Sequence, residues 1–245
     1  MDLSNKVVII MGASSGIGAA TSELLAKDNA TLVLGARRID RLNDIKNQFP
    51  DATIDTHEVD VTNFDQVKAV VDDTVAKYGR IDVIYNNAGI MPTAPLVEGR
   101  RDEWKQMLDI NIMGVLNGIA AVLPIMVKQQ SGHVITTDSV AGHVVGPDAA
   151  VYSGTKFAVR AIMDGLRMEQ AENNIKTTII SPGSTGTELF NSINDADQKK
   201  FAEDFFKNIN GLQPAQVASA VEYAIGTADN MSVSEVIVRP TRQSL

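Results

Sequence analysis

Cysteine is absent from the chain. Without thiols there are no disulfides, no zinc–cysteine sites and no thiol nucleophile, and a reducing compartment, the cytoplasm, is expected. Basic residues are the minority charge: 22 Lys and Arg stand against 30 Asp and Glu, a net of −8. Such a chain has no general electrostatic pull toward nucleic acid or anionic lipid, so neither is expected as a partner. Long apolar runs are also lacking. A stretch such as Ile119 to Val127 is far too short to span a bilayer, and it contains Pro124. The start Met1-Asp2-Leu3-Ser4-Asn5 has neither the basic opening nor the apolar core of a signal segment. The three histidines, His57, His133 and His143, show no clustering with carboxylates that suggests a metal, and none is expected. What is present is ordinary globular composition. The 245 residues are 44% hydrophobic and 21% charged, enough for a large core and unlike a disordered chain.

Strand-like and helix-like segments alternate from the start. Val7 to Met11, Thr31 to Leu34, Thr53 to Val59, Ile81 to Tyr85, His133 to Thr137, Lys176 to Ile180 and Val233 to Val238 read as strands. Between them, helical patterns run over Ala19–Lys27, Leu42-Ile45-Phe49, Val67-Val70-Val71-Val75, Trp104–Val127, Tyr152–Asn173 and Pro214–Ile225. Thr62 with Asp65 resembles a capping box, and Pro124 predicts a kink or break. Alternation of this kind predicts α/β architecture: a Rossmann-type, doubly wound parallel sheet with right-handed crossovers. No Pro/Ser-rich linker interrupts it, so a single domain over 1–245 is expected. The polar segment 184–212 breaks the pattern and is expected to be an insertion: a surface excursion or a lid over a pocket.

Gly12-Ala13-Ser14-Ser15-Gly16-Ile17-Gly18 follows the first strand and opens a helix. Glycines there permit a tight turn and close approach of backbone to a pyrophosphate, and a helix N-terminus favours negative charge. At the end of the second strand, where an NAD site places an acidic residue, stand Arg37 and Arg38. A guanidinium fork matches a 2′-phosphate, so NADP(H) is the expected cofactor, with Arg37 the first choice. Tyr152 and Lys156 are four apart, on one face of a helix, and an ammonium beside a phenol lowers the phenol's pKa. Ser139 closes the fifth strand, at the edge where parallel sheets present ligand-binding residues.

Taken with Asp60, Asn86-Asn87-Ala88-Gly89, Asn111 and Pro182-Gly183-x-x-x-Thr187, this combination resembles the short-chain dehydrogenase/reductase family over essentially the whole chain. The resemblance implies a role for each residue. Tyr152 would be the general acid of carbonyl reduction. Lys156 would bind the nicotinamide ribose and depress the Tyr152 pKa. Ser139 would hydrogen-bond the substrate carbonyl, and Asn111 would anchor a proton-relay water. Asp60 and Val61 would contact adenine, and Asn87, Ala88 and Gly89 the adenosine ribose and sheet centre. Pro182, Gly183, Thr185 and Thr187 would hold the nicotinamide end. The family also implies a homo-oligomer, tetramer or dimer, packed through the helix carrying Phe157, Ala158, Ala161, Ile162, Gly165 and Leu166. Two departures stand out: Met11 where the family commonly has Thr, and Asp138 directly before Ser139. Consecutive strand residues face opposite ways, so Asp138 is expected to point away from the catalytic centre; turned inward, it would raise the Tyr152 pKa.

The substrate pocket is expected from Met91, Val140, His143, Val145 and Phe190, with His143 read first as a loop histidine held by backbone. This mostly apolar set suits a small ketone, aldehyde or diketone. The leading expectation is therefore an NADPH-dependent carbonyl reductase, reversible as an alcohol dehydrogenase. Its competitors are an NADP-dependent 3-hydroxy-acid or serine-type dehydrogenase and a non-catalytic NADP(H) sensor on the same fold.

Overall fold

The computed structural model describes residues 1–244. Seven parallel strands form one sheet: β1 (Val7–Met11), β2 (Thr31–Ala36), β3 (Ile54–Glu58), β4 (Val83–Asn86), β5 (Gly132–Thr137), β6 (Ile175–Pro182) and β7 (Glu235–Val238). Their order across the sheet is β3-β2-β1-β4-β5-β6-β7. The order reverses at β1, so the crevice between β1 and β4 opens at the carboxyl ends of the strands, where doubly wound sheets take their ligands. All five residues of β1 are buried, as a strand covered on both faces requires.

Alternate residues of each strand feed two cores. Val8, Ile10, Leu32 and Leu34 pack under α1 (Gly16–Lys27) and α8 (Pro214–Ile225), the latter through Val217, Val221 and Ile225. Ile9, Met11, Val33 and Ile84 pack on the other face under α3 (Phe64–Tyr78), α5 (Gly114–Gln129) and α6 (Ala150–Glu169). Two further helices, α2 (Ile39–Gln48) and α4 (Arg101–Met107), complete the wrapping, and α7 (Ala196–Asn208) lies in the segment 184–212.

Three local expectations need correction. Helix α3 is capped by Asn63, whose side chain accepts from the Gln66 N–H at 3.2 Å, while the Thr62 hydroxyl donates to Asp60. Pro124 neither breaks nor ends α5. The carbonyl that loses its partner belongs to Ala120, which is exposed and faces water, so the missing N–H costs little. The apolar run around it is also longer than a bilayer argument assumed. Helix continues from Arg101 to Gln129, with a mean hydropathy of 2.0 in its most apolar window. Half of that window is buried, and Asn117 within it donates to the Val61 carbonyl at 2.8 Å, so this is a core helix. One widened π-helical turn, Leu108–Met113, joins α4 to α5.

Candidate active site

The turn after β1 is built around Gly12, with φ +85°. A Cβ there would lie 2.6 Å from the Ala88 nitrogen, and one on Gly18 would lie 2.3 Å from the Gly12 carbonyl oxygen. Only glycine lets these two βα turns touch. Asn87 fastens them by donating to the Gly12 carbonyl at 3.0 Å. Ser15 caps α1 in an extended conformation without using its side chain on the helix amides, which leaves those N–H groups facing the crevice. Such a cradle fits the pyrophosphate of a dinucleotide.

A cleft of about 790 Å³ runs from this turn across the sheet edge. One end is lined by Arg37, Arg38, Arg41, Asp60 and Val61, the middle by Gly12, Ser14, Ser15, Ile17, Asn87, Ala88 and Gly89, and the other end by Ser139, Tyr152, Lys156, Pro182, Gly183, Thr185 and Thr187. Gly16 and Gly18 stand just behind the lining. Arg41 was not anticipated. It lies one helical turn beyond Arg37 and Arg38, which is the signal that could have exposed it. Glu188 was not anticipated either: it pairs with Arg38 at 2.7 Å and Arg41 at 2.5 Å. Arg38 also donates to the hydroxyls of Ser14 (3.2 Å) and Ser15 (2.9 Å).

Ser139 lies two residues past β5 in extended conformation, and its Oγ accepts from the Ala141 N–H at 3.1 Å, leaving its own proton free to donate. Tyr152 and Lys156 lie one turn apart on α6 and are buried, at 5% and 6% exposure. Lys156 donates to the Thr137 carbonyl at 2.8 Å, and its Nζ lies 5.7 Å from the centre of the Tyr152 ring. Burial pushes the Tyr152 hydroxyl well above an ordinary phenol; a hydrogen bond with Ser139 opposes this, and the charge of Asp138 adds to it. Burial pushes Lys156 down, and Asp138 opposes that. Asn111 sits on the π turn. It brackets Ile90, accepting from its N–H and donating to its carbonyl, both at 2.9 Å, and donates to Thr155 at 3.2 Å. It thereby ties the loop after β4 to the helix that carries Tyr152.

Segment 184–212 starts and ends at one pinch, where Thr185 pairs with Leu212. It is fastened across the cleft by Ser192 to the Met91 N–H (2.8 Å), Asp195 to Arg100 (2.9 Å) and Gln198 to Asp148 (2.8 Å). Met91, Val140 and Phe190 line the cleft as expected residues, joined by Leu189, Phe201 and Phe205. His143 and Val145 do not reach it. Val145 turns out to solvent, 63% exposed. The His143 ring turns back toward Glu235 (3.0 Å) and Ser181 (3.1 Å), so side chains hold it, not backbone.

Asp138 borders the cleft, but its side chain is without exposure and accepts from Ser181 at 3.3 Å, and its charge acts on Tyr152. The structure also brings together a group the sequence did not reveal: ligand-type atoms of Asp138, His143 and Glu235 lie within 4.8 Å of one another. The Arg160 guanidinium stands among them, 3.3 Å from Glu235 and 4.0 Å from Asp138, and already supplies the positive charge there.

The sequence profile of the short chain dehydrogenases matches residues 6–198. The chain belongs to the short-chain dehydrogenase family. An uncharacterized oxidoreductase of Staphylococcus saprophyticus is 50% identical, covering 100% of this chain and 99% of that one. Among solved structures, the closed form of a serine dehydrogenase complexed with NADP+ superposes with a TM-score of 0.89 at 28% identity, covering 98% and 96% of the two chains. An alcohol dehydrogenase from the archaeon Thermococcus sibiricus, complexed with 5-hydroxy-NADP, gives 0.86 at 27% identity over 97% of each. As a short-chain dehydrogenase the protein is an oxidoreductase that binds a nicotinamide cofactor, and the glycine turn and uncapped helix N-terminus fit that group.

Proposed function

We propose that the protein is an NADPH-dependent carbonyl reductase of small apolar ketones, aldehydes or diketones, running in reverse as an alcohol dehydrogenase. One observation carries the reading: Ser139, Tyr152 and Lys156 converge at the apolar end of a cleft whose far end holds Arg37, Arg38 and Arg41. Three guanidinium groups and no acidic side chain from the end of β2 suit a 2′-phosphate better than a free 2′-hydroxyl.

The bound nicotinamide supplies the hydride. Tyr152, protonated because its burial disfavours phenolate, donates its proton to the carbonyl oxygen. The Ser139 hydroxyl hydrogen-bonds the same oxygen and stabilises the charge that develops on it. Lys156, one turn along α6 from Tyr152, would hold the cofactor ribose. Asn111 keeps the Ile90–Met91 loop and α6 in register. Segment 184–212 acts as the lid of one single-domain unit, with half-buried Phe190 covering the reaction end of the cleft. Exposed Phe157 and Met168 on α6, with Leu108 and Met113 nearby in sequence to α5, supply the apolar area for a homo-oligomer.

The serine dehydrogenase likeness raises a second reading, a hydroxy-acid substrate. Among the described residues the cleft's lysines and arginines are Lys156 and the three arginines of the opposite end. A carboxylate would therefore find no spare cation beside Ser139, which favours neutral carbonyls. Initial rates with NADPH over neutral ketones, diketones and β-keto acids test this. Turnover of the neutral compounds is expected; turnover confined to keto acids refutes the substrate class. Tyr152→Phe is expected to lose at least ~10²-fold in kcat with NADPH affinity within about twofold. Wild-type rates in that variant refute the acid assignment.

A further inference from the structure

Behind the catalytic serine lies a polar cluster that the reading above does not use. Asp138 precedes Ser139, continues the sheet by donating its N–H to Ile180 (2.7 Å), and has a side chain with no exposure. Its Oδ2 accepts from Ser181; its Oδ1 has no partner. Room for the carboxylate is made by Gly142, where a Cβ would lie 2.3 Å from Oδ2. The fold therefore keeps a charged group in a place that costs it hydration, beside a serine that polarises substrate.

The surroundings show what that charge faces. From α6 come Lys156 and Arg160, one turn apart; from the loop after Ser139, His143 at 3.9 Å; from β6, Ser181; and from β7, Glu235, which bonds both His143 and Arg160. Arg239 acts on His143 from beyond β7. Arg160 donates to the Gly142 carbonyl at 3.0 Å, so its head is fixed on the Glu235 side. Lys156 has only the neutral Thr137 carbonyl as a hydrogen-bond partner, and among the described residues no carboxylate forms an ion pair with it.

We propose that Asp138 is a positioning residue: its buried carboxylate, seated by Ser181 and by the opening at Gly142, is the fixed counter-charge that keeps Lys156 cationic and Tyr152 a phenol from the far side of the strand. This rests on Tyr152 and Lys156 being the catalytic pair. The direction of each effect agrees with it. Asp138 raises both Lys156 and Tyr152, and Lys156 in turn opposes the burial that pushes Asp138 up to about 6. The Asp138 charge is therefore in place at neutral pH, where it acts on both groups toward their protonated forms.

The test is Asp138→Asn, with Asp138→Ser as a second neutral variant and Ser181→Ala as a variant that keeps the carboxylate. Two readouts are followed against pH. One is kcat/KM for NADPH-dependent reduction of diacetyl. The other, free of turnover, is the near-ultraviolet phenolate absorbance that Tyr152→Phe removes. The neutral variants are expected to lower the alkaline inflection of both by about one unit, as expected for loss of a nearby charge in a partly screened interior. Ser181→Ala should leave the alkaline inflection in place. A phenolate signal and alkaline limb unchanged in a folded neutral variant overturn the proposal, as does a uniform, pH-independent fall in rate. A shifted phenolate in protein that reduces no carbonyl supports the counter-charge and sinks the reductase reading instead.

Discussion

Replacing Glu188 by Gln is expected to tighten NADPH selectively. Glu188 bridges Arg38 and Arg41, two of the three guanidinium groups at the end of the cleft proposed to take a 2′-phosphate. A phosphate arriving there must displace the carboxylate or share the arginines with it. All three side chains are 41–45% exposed, so solvent screens the pairs. Exposed ion pairs are worth about 0.2–1 kcal/mol each, so the two together oppose the phosphate by roughly 1 kcal/mol. That corresponds to about fivefold in affinity. NADH, which brings no charge to this end, should bind Glu188→Gln and the parent protein within about twofold. The converse changes, Arg38→Ala and Arg41→Ala, each remove a charge-assisted contact of about 1.5–3 kcal/mol and should weaken NADPH by roughly 10- to 150-fold. Quenching of the single tryptophan, Trp104, or calorimetric titration measures all of these, repeated at high salt, where the Glu188 effect should shrink. Weaker NADPH binding in Glu188→Gln, or equal changes for both cofactors, would show that Glu188 helps the lid close over the cofactor and does not compete with it.

Arg37→Asp should turn the NADPH-over-NADH preference toward NADH; an unchanged ratio of kcat/KM values removes Arg37 from the phosphate site. Gly12→Ala should abolish cofactor binding and lower stability by about 1–3 kcal/mol, because φ is +85° and the new Cβ meets the Ala88 backbone; a normal melting temperature with normal NADPH titration contradicts the close-approach argument. His133 is buried in β5, bonded through Nε2 to Thr178 at 2.7 Å, and burial pushes it down to about 3. It stays neutral in the fold while the unfolded chain takes up a proton below about 6.5, so stability falls as pH drops from there toward 3. The slope is about 1.4 kcal/mol per pH unit, and denaturation at pH 7 and 5 should show it reduced by that amount in His133→Gln; equal slopes in the two proteins disprove the assignment.

Most of the fold was legible because most strands are short runs rich in β-branched residues and the covering helices carry apolar faces. What escaped were features decided by surroundings. Pro124 looked like a break because its missing N–H is a local fact, whereas the exposure of Ala120 depends on how the helix packs. Thr62 and Asn63 are both good caps, and only the strand-to-helix path shows that Asp60 has already taken the Thr62 hydroxyl. The helix over Trp104–Val127 was legible, but its apolar length was cut short by reading Pro124 as an interruption, when the helix runs through it to Gln129.

The cleft itself divides along the same line. Gly12, Arg37, Ser139, Tyr152 and Lys156 stand out because their chemistry needs a particular residue type at the end of a particular strand or helix, which is a statement about sequence order. Glu188 and Asp138 act through partners as far as 150 residues away, or across two strands, and no spacing rule connects them. His143 shows the difference most clearly. A histidine four residues after Ser139 reads as a pocket residue on distance along the chain. It is turned out of the cleft by Glu235 and Ser181, which arrive on the last two strands of the sheet. Those strands assemble a charge cluster on the hidden side of Ser139. The cluster explains why an aspartate can occupy a position that would otherwise be costly: Ser181, His143 and Arg160 are in place to receive it, and Gly142 leaves it the space.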